Sequence, residues 1–282
     1  MRRVPIGPLA VLLVLLAGRP AAASVRLHGD GTWIRDASGR VVLLHGVVRA
    51  ARARQMLVLE PPLTRNLGFD AHPEPIGDPN LVYAPHLYTG TFGLPDLKYD
   101  GDRAAVTADY ARAAAEAALQ GAPLWVAEYG GNTAVAGGFL AATEQFVRDS
   151  LDEQEQRLVG SALWAYFPRD NTFSLVDVAG NEKGALASLL ARPFPLQTAG
   201  VPQALHWDPD ARMLDYTFAE DPTRRIPDPT ILFVPLARQF PAGVVVETDP
   251  GDRAILDTKR NRIVLRRDRT RSTHTIRLRP AA

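Results

Sequence analysis

The sequence predicts an α/β domain built on a parallel sheet and followed by a small all-β sandwich, and three observations carry that expectation. Between residues 81 and 191, short apolar runs alternate with amphipathic stretches in the order strand, helix, strand, helix, strand, ending in a further short helix. That order is the mark of a parallel sheet with helical crossovers. One of the runs, Leu124 to Ala127, opens after Pro123 and gives way at once to Glu128 and then Gly130-Gly131, so a buried strand delivers an acid to the open end of a sheet. Beyond Pro193 the helical spacing stops, and short alternating runs separated by turn residues take over. The expected organisation is a leader over 1–23, an α/β domain over 24–192 and a sandwich over 193–282.

The elements follow in chain order. Arg2 and Arg3 precede the apolar run Leu9 to Ala17 and then Ala21-Ala22-Ala23-Ser24, which reads as a secretory signal peptide cleaved after Ala23. A single-pass anchor is the other reading, but the run falls short of the ~20 apolar residues a span needs. The expected location is therefore secreted or cell-envelope. Thr32-Trp33-Ile34, the polar turn Asp36 to Gly39 and the run Val41 to Leu44 read as a hairpin feeding a buried strand that ends at His45-Gly46. Arg49 to Arg54 shows neither period nor turn chemistry. Met56 to Leu59 is a further apolar run, closed by Glu60-Pro61-Pro62, and prolines at 73, 75 and 79 punctuate the connection to the strand Leu81 to Ala84. Arg103 to Leu119 is a helix by the spacing of positions 106, 110, 113 and 117, with Asp102 as its N-cap. Phe139 to Leu151 repeats that spacing, Val159 to Trp164 is the next strand, and Gly184 to Ala191 is a last short helix. The sandwich strands are expected at Met213 to Phe218, Ile231 to Val234, Val244 to Glu247, Arg262 to Leu265 and Thr275 to Leu278.

Composition narrows the function classes. With 282 residues, 46% hydrophobic and 22% charged, the chain is globular and long enough for one large or two modest domains. A net charge of +1 gives no footprint for nucleic acid. The absence of cysteine excludes disulfides and thiolate ligands, and the six histidines lack metal-ligand spacing. No metal and no cofactor is expected. The arginines from 260 to 279 form one basic stretch, read either as a solvated sheet face or as a peripheral contact with membrane lipids. The sequence does not specify an oligomeric state.

The candidate site residues gather at predicted strand ends. Glu128 stands where α/β sheets place ligands and catalytic groups, although an acid there also serves as a turn cap. His86 and Tyr88 end the preceding strand in Pro85-His86-Leu87-Tyr88, and Trp164 ends the following one. For His86, Tyr88 and Trp164 plain core packing is the competing reading, and Trp125 and Tyr166 are assigned to the core.

Together Gly39-Arg40-Val41-Val42-Leu43-Leu44-His45-Gly46-Val47, Tyr83-Ala84-Pro85-His86-Leu87-Tyr88, Ala127-Glu128-Tyr129-Gly130 and Leu163-Trp164-Ala165-Tyr166 resemble glycoside hydrolase family 5, and within it the endoglycoceramidase-like branch. Arg192-Pro193-Phe194-Pro195 with Ala199-Gly200 looks like the junction into that branch's C-terminal sandwich. The resemblance implies a (β/α)8 TIM barrel and retaining hydrolysis of a β-linked glycoside or glycolipid. It makes Glu128 the nucleophile after the seventh strand, takes His86 and Tyr88 from the sixth, and sets Trp164 as the substrate-binding aromatic after the eighth. The chemistry is consistent with those roles: a tyrosine hydroxyl holds an attacking carboxylate by donating to it, and an indole face packs on a sugar ring.

The chain departs from the family in two ways. A retaining enzyme needs a second carboxyl about 5 to 5.5 Å from the first, which the family supplies from an Asn-Glu-Pro after the fourth strand, and no Asn-Glu-Pro occurs here. Glu60, before Pro61, is a weak candidate for that acid/base, with a spacing that fits the fifth strand better. Residues 24 to 192 also number about 170, against the ~250 of a complete barrel. The expectation is a partial barrel lacking strands two to four, joined across Arg49 to Arg54, with hydrolysis impaired or lost. The alternatives are a catalytically inactive remnant that binds carbohydrate or serves a structural role outside the cell, and an exported sandwich that acts in adhesion.

Overall fold

In the computed structural model, described over residues 27–43, 45–47, 56–62, 64–65, 74–91, 97–167 and 172–281, the first structured residues make a tight hairpin. Leu27–Asp30 (β1) pairs antiparallel with Trp33–Asp36 (β2), and Gly31, at φ +59°, supplies the left-handed turn between them. The Asp36 to Gly39 turn forms one step later: the Asp36 carboxylate accepts from the backbone N–H groups of Ser38 and Arg40. It returns the chain to Val41, which bridges both Arg35 and Thr198. The predicted signal peptide and the Arg49 to Arg54 stretch lie outside the described residues.

The parallel sheet is built from His45–Val47 (β3), Leu57–Leu59 (β4), Leu81–Tyr83 (β5), His86–Leu87 (β6), Trp125–Tyr129 (β7) and Gly160–Leu163 (β8). Its hydrogen-bonded order is β3-β8-β7-β6, with β4 paired to β5. Backbone bonds join the two pieces into one arc: Ala84 N–H donates to Leu59 O, Tyr83 N–H to Pro123 O and Ala127 N–H to Pro85 O. β5 and β6 thus act as one strand bent at Pro85, whose missing N–H interrupts the ladder there. The arc ends at β3 on one side and β4 on the other, and these two do not pair. Residues 48 to 55 between them reach at most about 28 Å when fully extended, too little for three strands with their helices. The fold is a partial TIM barrel with an all-β domain after it.

Three helices cover the outer face of the arc. Arg103–Leu119 (α1) starts where predicted, its N-cap Asp102 accepting from Ala105 N–H at 3.1 Å. Phe139–Arg157 (α2) runs six residues past the predicted end. In the polar extension Glu153 and Gln154 are buried and paired: Glu153 accepts from Thr107 and Arg157, and Gln154 joins Tyr110 to Ser161. Gly184–Leu190 (α3) follows. Among the described residues no helix is long and apolar enough to cross a membrane.

The sandwich comprises Phe194–Gln197 (β9), Val201–Asp208 (β10), Met213–Ala219 (β11), Thr230–Phe233 (β12), Leu236–Gln239 (α4), Val244–Thr248 (β13), Arg253–Asp257 (β14), Arg262–Arg266 (β15) and Thr273–Pro280 (β16). Two antiparallel sheets, β10-β11-β16-β13 and β14-β15-β12-β9, close over a shared core. Val41, Leu43 and Leu158 belong to that core as well, so the sandwich is packed onto the α/β part. The arginines of the basic stretch largely have acids as partners: Arg260 and Arg262 reach Asp257, Arg267 and Arg269 reach Asp228, Arg277 reaches Asp215 and Arg279 reaches Glu247. These arginines are spread over β15, β16 and the turns beside them, in two different sheets, and are largely ion-paired with acids.

Candidate active site

β7 and β6 lie side by side in parallel, with Glu128 in register with His86. Adjacent parallel strands in register point their paired side chains to one face, so an acid and an imidazole meet at the carboxyl end of the arc. His86 Nδ1 lies 3.2 Å from Glu128 Oε2, and the Tyr88 hydroxyl donates to that same oxygen at 2.9 Å. The rings of His86 and Tyr88 meet edge to face at 6.5 Å, which braces both against rotation. Burial, followed by the charge of Glu128 and the hydrogen bond to it, pushes the Tyr88 phenol well above its ordinary range. Tyr88 therefore stays protonated and remains a donor to the carboxylate.

Glu60 follows β4 at the arc's end and comes to the opposite side of the imidazole, its Oε1 3.0 Å from His86 Nε2. The ring thus carries a carboxylate at each nitrogen. With the imidazole standing between them, Glu60 and Glu128 do not face each other across a space for a glycosidic oxygen. Glu60 is 59% exposed in its side chain and Glu128 20%, so solvent reaches the first far more readily.

Trp164 leaves the end of β8, and its backbone N–H donates to Tyr129 O at 2.9 Å, which holds it at the mouth next to Glu128's strand. Its peptide bond to Ala165 is cis, and its side chain is 41% exposed. Gly130 is required at this crossing, because a Cβ there would meet Trp164 O at 2.6 Å. Thr91 pins the same turn from β6's side by donating through its hydroxyl to Gly130 O at 2.7 Å.

The structure thus joins Tyr88 to Glu128 by a hydrogen bond, sets His86 within ion-pair distance of both Glu128 and Glu60, and places Trp164 beside them by strand placement alone. Two assignments to the core read differently. Tyr166 is 56% exposed, as is Phe167 at 52%, because the chain leaves the sheet after Leu163 and the alternation that would bury Tyr166 no longer applies. Trp125 is half-buried, with its Nε1 enclosed and without a hydrogen-bond partner. Sequence reasoning missed Thr91, whose threonine-in-a-turn context carries no signal. Among the described residues no three His, Asp or Glu side chains gather as metal ligands.

A parallel α/β arc with a braced carboxylate at its carboxyl end and a β-sandwich fixed behind it places the chain in the class of barrel-type α/β proteins. Two family descriptions match the chain: cellulase (glycosyl hydrolase family 5) over residues 29–170, and the glycoside hydrolase family 5 C-terminal domain over residues 192–278. The chain belongs to glycoside hydrolase family 5. Among solved structures it is similar to endo-glycoceramidase II from Rhodococcus sp., at 21% identity and a TM-score of 0.64, covering 80% of this chain and 50% of that one. The lactosyl-enzyme intermediate of the same protein matches at a TM-score of 0.62 and 21% identity, over 80% of this chain and 49% of that one. Sterylglucosidase 1 from Cryptococcus neoformans matches at 0.56 and 14% identity, over 72% and 39%. At these identities the likeness is one of fold, and the chain spans about half the length of the endo-glycoceramidase II structures it matches. No curated protein matches it by sequence.

Proposed function

We propose that this chain is an exported, retaining glycoside hydrolase of endoglycoceramidase-like specificity, organised as a leader over 1–23, a hydrolase part over 24–192 and a sandwich over 193–282. In this reading the nucleophile half of the site is intact and the acid/base half is absent. The observation that carries it is the convergence of Tyr88 and His86 on one oxygen of Glu128, which leaves the other oxygen to attack an anomeric carbon. Glu60 positions His86 and is not the acid/base, because the imidazole stands between it and the place where a leaving oxygen would sit. The glycolipid preference draws support from the neighbours, one of which was solved with ganglioside GM3 and another as a lactosyl-enzyme. Because the arginines of the basic stretch are paired with acids, the substrate, not those arginines, brings the protein to lipid.

The two halves of such a site separate chemically. Attack by Glu128 forms the bond from carboxylate oxygen to C1 as the bond from C1 to the leaving oxygen breaks, and the departing oxygen takes the electron pair. A natural aglycone needs a proton at that moment, whereas 2,4-dinitrophenolate leaves without one. The expected result with 2,4-dinitrophenyl β-lactoside is a covalent lactosyl adduct on Glu128 by mass spectrometry, formed with slow turnover, and no release of ceramide from a lactosylceramide. Glu128→Gln should abolish the adduct. A folded chain that forms no adduct on Glu128 overturns the hydrolase reading and favours the carbohydrate-binding remnant, for which Trp164→Ala should remove lactose affinity.

A further inference from the structure

The ladder between β6 and β7 is short: His86 pairs with Glu128, Leu87 with Tyr129, and there it stops. Tyr88, whose hydroxyl serves Glu128, stands one residue past the last pair, where the chain enters a turn. Thr91 N–H closes that turn by donating to Tyr88 O at 2.8 Å, with Gly90 inside it at φ +68°. A donor carried on a turn is placed only as well as the turn is tied to the group it faces. Thr89 donates to Asp109 Oδ2 on α1 at 2.7 Å, which fixes the turn against a helix and not against Glu128.

Thr91 supplies the tie that Thr89 does not. It is 2% exposed, and its Oγ1 donates to Gly130 O, two residues after Glu128, at 2.7 Å. Its carbon atoms meet the next residue of the same turn: a Cβ on Gly131 would lie 3.3 Å from both Thr91 Cβ and Cγ2, and 2.6 Å from Thr143 Oγ1. A glycine at 131 is what admits the two threonines. Thr143, on α2, donates to Asn132 O at 2.6 Å and holds the turn from the helix side. Two consecutive glycines have no side chains with which to fix their own turn, so these hydroxyls do it for them. One residue, Thr91, thus closes the turn that carries Tyr88 and grips the turn that follows Glu128.

On the reading of Glu128 as the nucleophile, we propose that Thr91 is a positioning residue for its attack. Being buried, Thr91 does not reach substrate. Its hydroxyl sets the distance and direction of the hydrogen bond from Tyr88 to Glu128, and so how firmly one carboxylate oxygen is held while the other attacks. A threonine that only capped the carbonyl of Gly130 would also cost stability when removed. The two roles differ in whether the effect on the reaction passes through the Tyr88 hydroxyl.

The test uses the full chain and 2,4-dinitrophenyl β-lactoside. Thr91→Val keeps the shape and removes the hydroxyl, whereas Thr91→Ser keeps the hydroxyl. At saturating substrate Thr91→Val should slow formation of the lactosyl adduct by about fivefold or more, with the half-saturating concentration within about twofold of the unaltered chain's. Thr91→Ser should recover most of the rate. In Tyr88→Phe the hydroxyl to be placed is already gone, so adding Thr91→Val to that variant should slow it by less than about twofold. A second readout needs no turnover: with carbon-13 in the tyrosine rings, the Cζ resonance of Tyr88, assigned by its loss in Tyr88→Phe, should move in Thr91→Val and return in Thr91→Ser. Equal slowing by Thr91→Val with and without the Tyr88 hydroxyl, or a Tyr88 resonance that does not move, would overturn the positioning role. An unaltered chain that forms no adduct sinks the nucleophile reading instead, and the resonance alone then decides whether Thr91 places Tyr88. Should Thr91→Val fail to fold by circular dichroism, Thr91→Ala carries the same comparisons.

Discussion

A single oxygen of Glu128 receives two donors' attention, and that asymmetry decides what the residue can do. Tyr88 is the donor whose protonation is secure, because burial and the adjacent carboxylate both oppose its ionisation. Tyr88→Phe keeps the ring contact with His86 and removes only the hydroxyl. A hydrogen bond to a charged group is worth about 1.5–3 kcal/mol, so lactosyl-adduct formation should slow by about tenfold to a hundredfold while lactose affinity stays nearly unchanged. An unaltered burst of dinitrophenolate in that variant would show that the hydroxyl does not serve the carboxylate. The residues of this cluster were legible because each one ends an apolar run: Glu128 before Gly130-Gly131, His86 after Pro85, Trp164 after Ala162-Leu163. The link from Glu60 to His86 was not, since a proline-rich connection separates them and only the pairing of β4 with β5 brings them together. The exposure of Tyr166 was also hidden, because nothing in the composition marks where β8 stops.

At the scale of elements, strands and helices with clean periodicity were read correctly and those with an interruption were not. β10 carries a register shift between Pro202 and Ala204, so its alternation breaks and no period-2 signal survives. β14 is an edge strand with Ile255 60% exposed, and β9 holds Pro195, which suits an edge and argues against a strand by propensity. Leu57 to Leu59 shows the opposite: an apolar run in which Leu57 and Val58 are nonetheless each 45% exposed, because β4 ends the arc and nothing described pairs with its outer side. An apolar edge of this kind is a template for another chain. Self-association that grows with concentration is the expected behaviour. Val58→Lys, which places a charge on that edge, should shift sedimentation toward the monomer without altering the far-ultraviolet dichroism. A chain that sediments as a monomer at every concentration, before any substitution, would remove the edge from consideration.

The whole molecule is held by buried tyrosines whose hydroxyls serve the polar contacts inside both cores, and this sets its response to alkali. Tyr83 donates to Glu116, Tyr99 to Asp149, and the hydroxyls of Tyr216 and Thr198 are hydrogen-bonded to each other. Tyr110 accepts from Gln154 in the interior of the helical layer. Burial is the first cause that raises every one of these phenols, and it raises Tyr129 to about 12. In the unfolded chain tyrosine ionises near ~10. A phenol raised on folding stabilises the native state fully below the unfolded value and stops doing so as pH climbs past it, because the unfolded state then releases protons that the folded state keeps. The stability these tyrosines supply should therefore stay constant up to about pH 9 and fall ever more steeply from about pH 10 upward, with the two cores lost together because Val41, Leu43 and Leu158 pack into the sandwich core. Denaturant midpoints measured across that range should trace the decline, and tyrosinate absorbance should rise in step with the loss of circular dichroism. A smooth titration of most of the seven tyrosines near pH ~10, with the dichroism intact, would show that these hydroxyls are not holding the structure.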